Sequence, residues 1–328
     1  MRLFYFPAAR LLDEFLPLSY NLRMTYSATQ AEEKRAMILS LVVGIVLMAI
    51  KFVAYGMTGS AAIFSDALEG IVNVLASCFA LYAVSLAARP ADAEHPYGHG
   101  KIEFMSAGFE GGMILIASLV MAARVGQEIY QGPHVENVGS GLILIAAAMF
   151  VNGGVGWYLL QMGRKRGAIT LEADGKHLLS DAVTSAGVLV ALAFVKLTGW
   201  KWADPIAALV VTLYIGFIAA GLLRKAVAGL MDQQDIDDEK RLTNLLDNHI
   251  GPDKKEPHIC SYHKLRHRHS GRYHWVDFHM MVPAWWDITR AHSVASAIEY
   301  EIEQMLGEGN ATAHIEPCAK ADCPNCAQ

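Results

Sequence analysis

Asp66-Ala-Leu-Glu-Gly-Ile-Val-Asn73 and, further along, Asp174-Gly-Lys-His-Leu-Leu-Ser-Asp181 each place three polar groups inside an apolar segment. Asp66, Glu69 and Asn73 fall at i, i+3 and i+7; so do Asp174, His177 and Asp181. On a helix that spacing aligns each set along one stripe. A charged group at the centre of a bilayer costs roughly 3 kcal/mol on insertion scales, and such groups usually line a pathway or hold an ion. Two matching stripes point to a cation held between two helices.

The surrounding chain supports a membrane setting. Of its 328 residues, 53% are hydrophobic and 18% charged. A soluble domain carries about a quarter charged residues. The net charge of -5 and the lack of a long basic run give no sign of nucleic-acid binding. Six apolar segments stand out, roughly 36–57, 61–87, 104–123, 139–163, 177–198 and 204–223. Each is near the ~20 residues that a helical span needs. Residues 1–33 lack the order of a cleaved signal peptide and are expected to form a short cytoplasmic arm.

Lys and Arg gather at alternate ends of these spans. Lys34 and Arg35 precede the first, Arg89 and Lys101 flank the loop after the second, and Arg164, Lys165 and Arg166 follow the fourth. Arg224 and Lys225 follow the sixth, whereas 57–60 and 125–138 carry no Lys or Arg. The bias predicts an inner (plasma) membrane protein with both termini in the cytoplasm.

After Asp232 the composition turns polar, and nine of the thirteen histidines follow. The pattern predicts a helix at 237–250, strands near 258–268 and 273–283, a helix at 290–306 and a strand at 311–317. In the second strand Trp275, Asp277, His279 and Met281 alternate with Val276, Phe278 and Met280. The expected fold is therefore an α-helical membrane bundle of six transmembrane helices plus a cytoplasmic α+β domain, ferredoxin-like or metallochaperone-like. Its parts are the arm 1–33, the membrane domain 34–228, the soluble domain 229–317 and a Cys-containing tail 318–328.

Glu69, Asn73, His177 and Asp181 offer two carboxylates, an imidazole and an amide oxygen, a set that suits a four-coordinate divalent ion. Interhelical hydrogen bonding is the plainer alternative, but two carboxylates with a histidine fit it poorly. Asp66 and Asp174 extend the stripes as helix caps or mouth residues rather than ligands. In the loop after span two, Asp92, His95 and His99 have a spacing that can wrap a metal, or are incidental to a turn rich in Pro and Gly. Cys318, Cys323 and Cys326 in the tail have metal-type spacing, with Cys260 or a histidine as a fourth ligand; a disulfide or an unstructured end is the alternative. In a cytoplasmic domain these cysteines are expected as reduced thiols. Glu110 stands within span three, where a carboxylate is costly, as a proton-path or gating group or a wetted interfacial one.

The chain resembles the cation diffusion facilitator family of divalent-metal transporters over about residues 35–318. The likeness rests on Thr58-Gly-Ser60, His95-Pro-Tyr-Gly-His-Gly-Lys101, His177-Leu-Leu-Ser-Asp181 and Gly229-Leu-Met-Asp232. It implies a transport site at Glu69, Asn73, His177 and Asp181 and a loop site at Asp92, His95 and His99. It also implies cytoplasmic metal sites at His263, His279, His292, His314 and Glu316, and a charge link between Lys101 and Asp232. Members are typically homodimers that exchange metal for protons by alternating access. In span two the family commonly has His or Asp and then Asp; here Glu69 and Asn73 stand instead, which removes one negative charge. His258, His267, His269 and His274 lie around the cytoplasmic set, some of them simply solvated.

The expected function is thus proton-coupled antiport of a divalent transition metal out of the cytoplasm. Zinc comes first, with iron, manganese, cadmium or cobalt possible, and the ion acts as substrate and regulator. The expected partners are a second copy, the lipid bilayer and protons, with no nucleic acid. A membrane-embedded metalloenzyme is one alternative, although no H-E-x-x-H or G-x-S-x-G motif occurs. A metal sensor without transport is the other.

Overall fold

The computed structural model describes residues 31–53, 56, 61–131, 141–200, 202–251, 257–318 and 323–326, excluding some side chains within helices, those of 61–69 among them. The arm therefore lies outside the described residues, apart from its last three. So do the side chains of Asp66 and Glu69.

Six helices form the first part: α1 (Ala31–Val53), α2 (Ala61–Ala87), α3 (Ile102–Gln131), α4 (Gly141–Arg166), α5 (Ile169–Thr198) and α6 (Ala203–Leu230). Each overlaps one of the six segments expected, although α5 starts eight residues before the apolar run at 177 and α3 runs eight residues past 123. Among the described residues, α1, α3 and residues Pro205–Leu230 of α6 are long and apolar enough to cross a membrane. The charges of α5, including Glu172, Asp174, Lys176 and Asp181, dilute its hydropathy.

Helix α5 is the hub, with α2, α3, α4 and α6 all packed against it. Ala36 and Met37 of α1 meet Ala80, Val84, Leu159, Leu171 and Leu178 in one cluster. Ala107 and Ile114 of α3 meet Ala173 and Ile215, Ala219, Leu222 and Ala226 of α6 in another. Small residues let α4 and α5 approach closely, as is usual between membrane helices. A Cβ on Gly175 would stand 2.6 Å from the Leu160 nitrogen. Alanine there would force the two helices apart.

Beyond Asp232 come α7 (Ile236–Asn248), β1 (Ser261–Ser270), β2 (Tyr273–Val282), α8 (Ile288–Leu306) and β3 (Gly309–Pro317). Asp235 caps α7 by accepting from the Asp237 and Asp238 amides, and Asp287 caps α8 by accepting from Arg290. The sheet order is β1-β2-β3, antiparallel and then parallel. Val276, Phe278, Met280 and Val282 face Leu242, Leu246, Ile298 and Ile302 in a buried core, as the alternation predicted.

The hairpin between β1 and β2 docks on the membrane part. At its tip, Arg272 donates to Glu33 of α1 at 2.8 Å and pairs with Glu308 at 3.1 Å. Lys101 pairs with Asp232 at 2.9 Å, the charge link the family resemblance implies, and Arg268 adds a second contact to Asp232 at 3.5 Å.

Candidate metal centres

The candidate membrane ligands meet where α2 crosses α5. Asn73 Nδ2 donates to Asp181 Oδ2 at 3.1 Å, joining the second member of each pair. His177 is buried one turn toward the start of α5, and its Nδ1 lies 4.0 Å from Glu110 Oε2 of α3. Asn73, His177 and Asp181 are thus arranged on facing helices. Glu69 lies on α2 one turn before Asn73, with its side chain outside the described residues.

Asp174 is not a cap. It sits well inside α5, fully buried, and accepts from Ser40 Oγ at 2.6 Å and from Ser77 Oγ at 3.5 Å. A buried carboxylate needs such donors. They come from α1 and α2, which the residues around Asp174 could not reveal. Glu110 is fully buried as well, so it is not a wetted interfacial group.

The loop set converges. The ligand atoms of Asp92, His95 and His99 lie within 4.8 Å of one another. Asp92 Oδ1 accepts from the His95 amide at 2.7 Å and the Glu94 amide at 3.0 Å. Chiefly through the His95 amide, these bonds hold its carboxyl below the usual range. His95 and Asp92 are exposed, whereas His99 is largely covered.

On the open face of the sheet, strand register aligns His263, His279 and His314 in one cross-strand row. An irregularity between His263 and Arg266, with Lys264 at φ 52°, makes this possible. It sets two residues of β1 opposite a single one of β2, one extra residue that returns His263 to face His279. Glu316 closes the group, with Oε1 2.7 Å from His279 Nδ1 and Oε2 3.3 Å from His263 Nε2. The His279 hydrogen bond keeps the Glu316 carboxyl below its ordinary value. His314 Nε2 is more distant, 3.8 Å from Glu316. His292 is exposed on α8, and no described contact brings it to this cluster.

The tail cysteines also converge, but not all as free thiols. Cys260 and Cys326 are joined by a disulfide, their Cα atoms 5.5 Å apart, which corrects the expectation of reduced thiols throughout. That separation is ordinary for a bridge. Cys318 and Cys323 are free, and the Cys318 sulfur lies within 4.8 Å of both bridged sulfurs. With Cys326 bonded, the set Cys318, Cys323 and Cys326 cannot offer three thiolates in this form.

One cluster escaped sequence reasoning. Asp238 Oδ2 lies 3.3 Å from His269 Nε2 and 3.2 Å from His274 Nδ1. Arg241 holds the other oxygen of Asp238 at 3.1 Å. Burial pushes both imidazoles down, His274 to about 4. His267, one of four histidines of which some were expected to be solvated, is buried and accepts from the Asp235 amide at 2.9 Å. The available signal was the hairpin pairing of His269 with His274; nothing local pointed to Asp238.

A helical membrane bundle with candidate metal ligands on facing helices, followed by a histidine-bearing sheet domain, is the architecture of a membrane transporter of metal ions. The chain belongs to the cation efflux family: the profile of the cation efflux transmembrane domain matches residues 37–231, and that of the cation efflux protein cytoplasmic domain matches 254–318. Such proteins are transporters, not enzymes. An uncharacterized transporter of Synechocystis sp. is 36% identical over 281 residues, 85% of this chain and 89% of its own length. A cation-efflux pump FieF of Shewanella oneidensis is 26% identical over 280 residues, 85% of this chain and 92% of the pump. A solved structure of CzrB shows a slight likeness: 22% identity, a TM-score of 0.24, and coverage of 26% of this chain and 99% of that one.

Proposed function

We propose that this cation efflux transporter exports a divalent transition metal, zinc first, in exchange for protons. The observation that carries the assignment is the contact of Asn73 with Asp181 beside a buried His177, at the crossing of α2 and α5. Facing inward, the ion binds Glu69, Asn73, His177 and Asp181 as the titratable members lose protons. Metal ligands must be deprotonated, so protons compete for the same groups. On the far side a lower pH protonates His177 and the carboxylates and releases the ion. Alternating access carries the site between the two faces.

The protein acts as a homodimer in the inner membrane, with both termini in the cytoplasm. The Lys and Arg bias of the loops and the match to the cytoplasmic domain of efflux proteins support this arrangement. The row of His263, His279 and His314 with Glu316 binds the same ion as a regulator. Metal there favours one arrangement of the soluble domains through differential affinity. Asp92, His95 and His99 form a further site at the loop.

Zinc uptake into proteoliposomes under an imposed pH gradient tests the proposal. Uptake should follow the gradient and collapse when it is dissipated. It should be lost in His177→Ala and Asp181→Ala. Unchanged uptake in those two variants would remove the transport-site assignment.

A further inference from the structure

We propose that Glu110 is itself a ligand of the transported ion, shared with His177, and supplies the negative charge that Asn73 lacks. The proposal rests on the transport site described above and extends it from two helices to three.

Glu110 has no solvent exposure, and neither of its carboxylate oxygens has a hydrogen-bond partner. Asp174, only three residues before His177, is equally buried but takes hydrogen bonds from Ser40 and Ser77. Nature's ordinary solution for a buried carboxylate is therefore present at one position and missing at its neighbour. A charge left buried without a partner is strongly unfavourable. Glu110 is therefore neutralised either by a proton or by a cation, and an ion that binds there takes the proton's place.

Its closest ionisable neighbour identifies where that cation sits. Glu110 Oε2 and His177 Nδ1 are 4.0 Å apart. Bonds of about 2.0–2.2 Å in tetrahedral geometry place two ligand atoms roughly 3.3–3.6 Å apart, so an inward movement of about half an ångström seats an ion between these two. The position of Glu110 follows from how α3 packs. A Cβ on Gly111 would stand 3.1–3.4 Å from Leu222 and Leu223, and one on Gly108 3.4 Å from Ala226. Those glycines seat α3 tightly on α6, while α3 also contacts α5. The rotation so fixed turns Glu110 toward His177.

Charge supplies the second reason. Glu69 and Asp181 give the four-residue site two carboxylates. Glu110 restores a third, on α3 rather than on α2. The ion would then be held by oxygen from three helices and nitrogen from one of them, a set that suits zinc and also harder divalent ions.

The test uses the full-length protein. Glu110→Gln keeps the shape and removes the charge. Zinc affinity measured calorimetrically in detergent should fall at least about tenfold, and zinc uptake by proteoliposomes should fall in proportion. Asn73→Asp added to Glu110→Gln returns the lost charge to α2 and should recover most of the uptake. Glu110→Asp should retain zinc binding, which keeps the test informative if the glutamine variant folds poorly. Normal affinity and uptake in Glu110→Gln, with both lost in His177→Ala, would overturn the role of Glu110 alone. Loss in Glu110→Gln with no recovery on adding Asn73→Asp would reduce Glu110 to a structural residue and also overturn it. Normal uptake in His177→Ala would overturn the transport site and this extension together.

Discussion

The helix crossing in the membrane and the open face of the cytoplasmic sheet both gather metal-binding side chains, yet physics weighs them differently. Around the crossing of α2 and α5, Asp174, His177 and Glu110 are removed from water and Asn73 and Asp181 are partly so, and a buried polar group needs a partner or an ion. The Asn73–Asp181 bond and the Ser40 and Ser77 donors to Asp174 are those partners. On the sheet, Glu316, His263 and His279 are half-exposed, and water can satisfy them without an ion. Burial makes the membrane groups functional candidates one by one. For the sheet, only convergence carries weight: three histidines in one row with a carboxylate beside its middle member.

This contrast orders the expected effects. Losing Asp181 or His177 should be the most severe. Asp181→Asn should lower zinc flux by more than the roughly 10–100-fold that outer-shell partners of a metal cost. Flux within threefold of the wild type would erase the distinction between the two regions. Asn73→Asp should come next, acting on ion choice more than on rate. The extra carboxylate should change the ratio of zinc to manganese transport by about tenfold, equivalent to about 1.4 kcal/mol. Competition between the two ions measures this, and an unaltered ratio would mean that position 73 does not set selectivity. His263→Ala with His279→Ala should abolish one class of bound metal while cutting maximal flux only a few-fold. Equilibrium dialysis alongside flux separates the two quantities.

The smallest effect concerns pH and the hairpin that docks on the membrane part. Burial holds His274 at about 4, below the ordinary 6.5. Between those values the unfolded chain binds more protons than the folded one, so stability rises with pH across the window. The contribution is complete above pH 6.5 and is lost as pH falls through about 4. Thermal unfolding of the full-length protein should therefore occur at lower temperature at pH 5 than at pH 7.5. His274→Gln should narrow that gap, and a gap of unchanged size would show that other groups control acid stability.

Much of the fold was legible because two periods dominate the chain. Runs of about twenty apolar residues marked six helices, and strict alternation placed Val276, Phe278 and Met280 in the core. The stripes on α2 and α5 were legible for the same reason, since one helix fixes the relation of residues four apart. Contacts between elements were not. The irregularity at Lys264 brings His263 opposite His279, yet nothing in Tyr262-His-Lys-Leu-Arg266 announces it. Asp174 looked like a cap because its donors, Ser40 and Ser77, lie on other helices. Asp238 meets His269 and His274 only after α7 folds onto the hairpin. Cys260 and Cys326 are 66 residues apart, and only the return of the tail to the start of β1 brings them together.

The central claim is that the ion crosses the membrane on the α2–α5 site and is merely sensed on the sheet. Radioactive zinc uptake, measured in one proteoliposome preparation series for wild type, Asp181→Asn and the His263→Ala, His279→Ala double variant, tests it most directly. The account predicts no uptake above empty liposomes for Asp181→Asn, and uptake within a few-fold of wild type for the double variant. The reverse pattern, with flux surviving Asp181→Asn and vanishing with the sheet histidines, would contradict it.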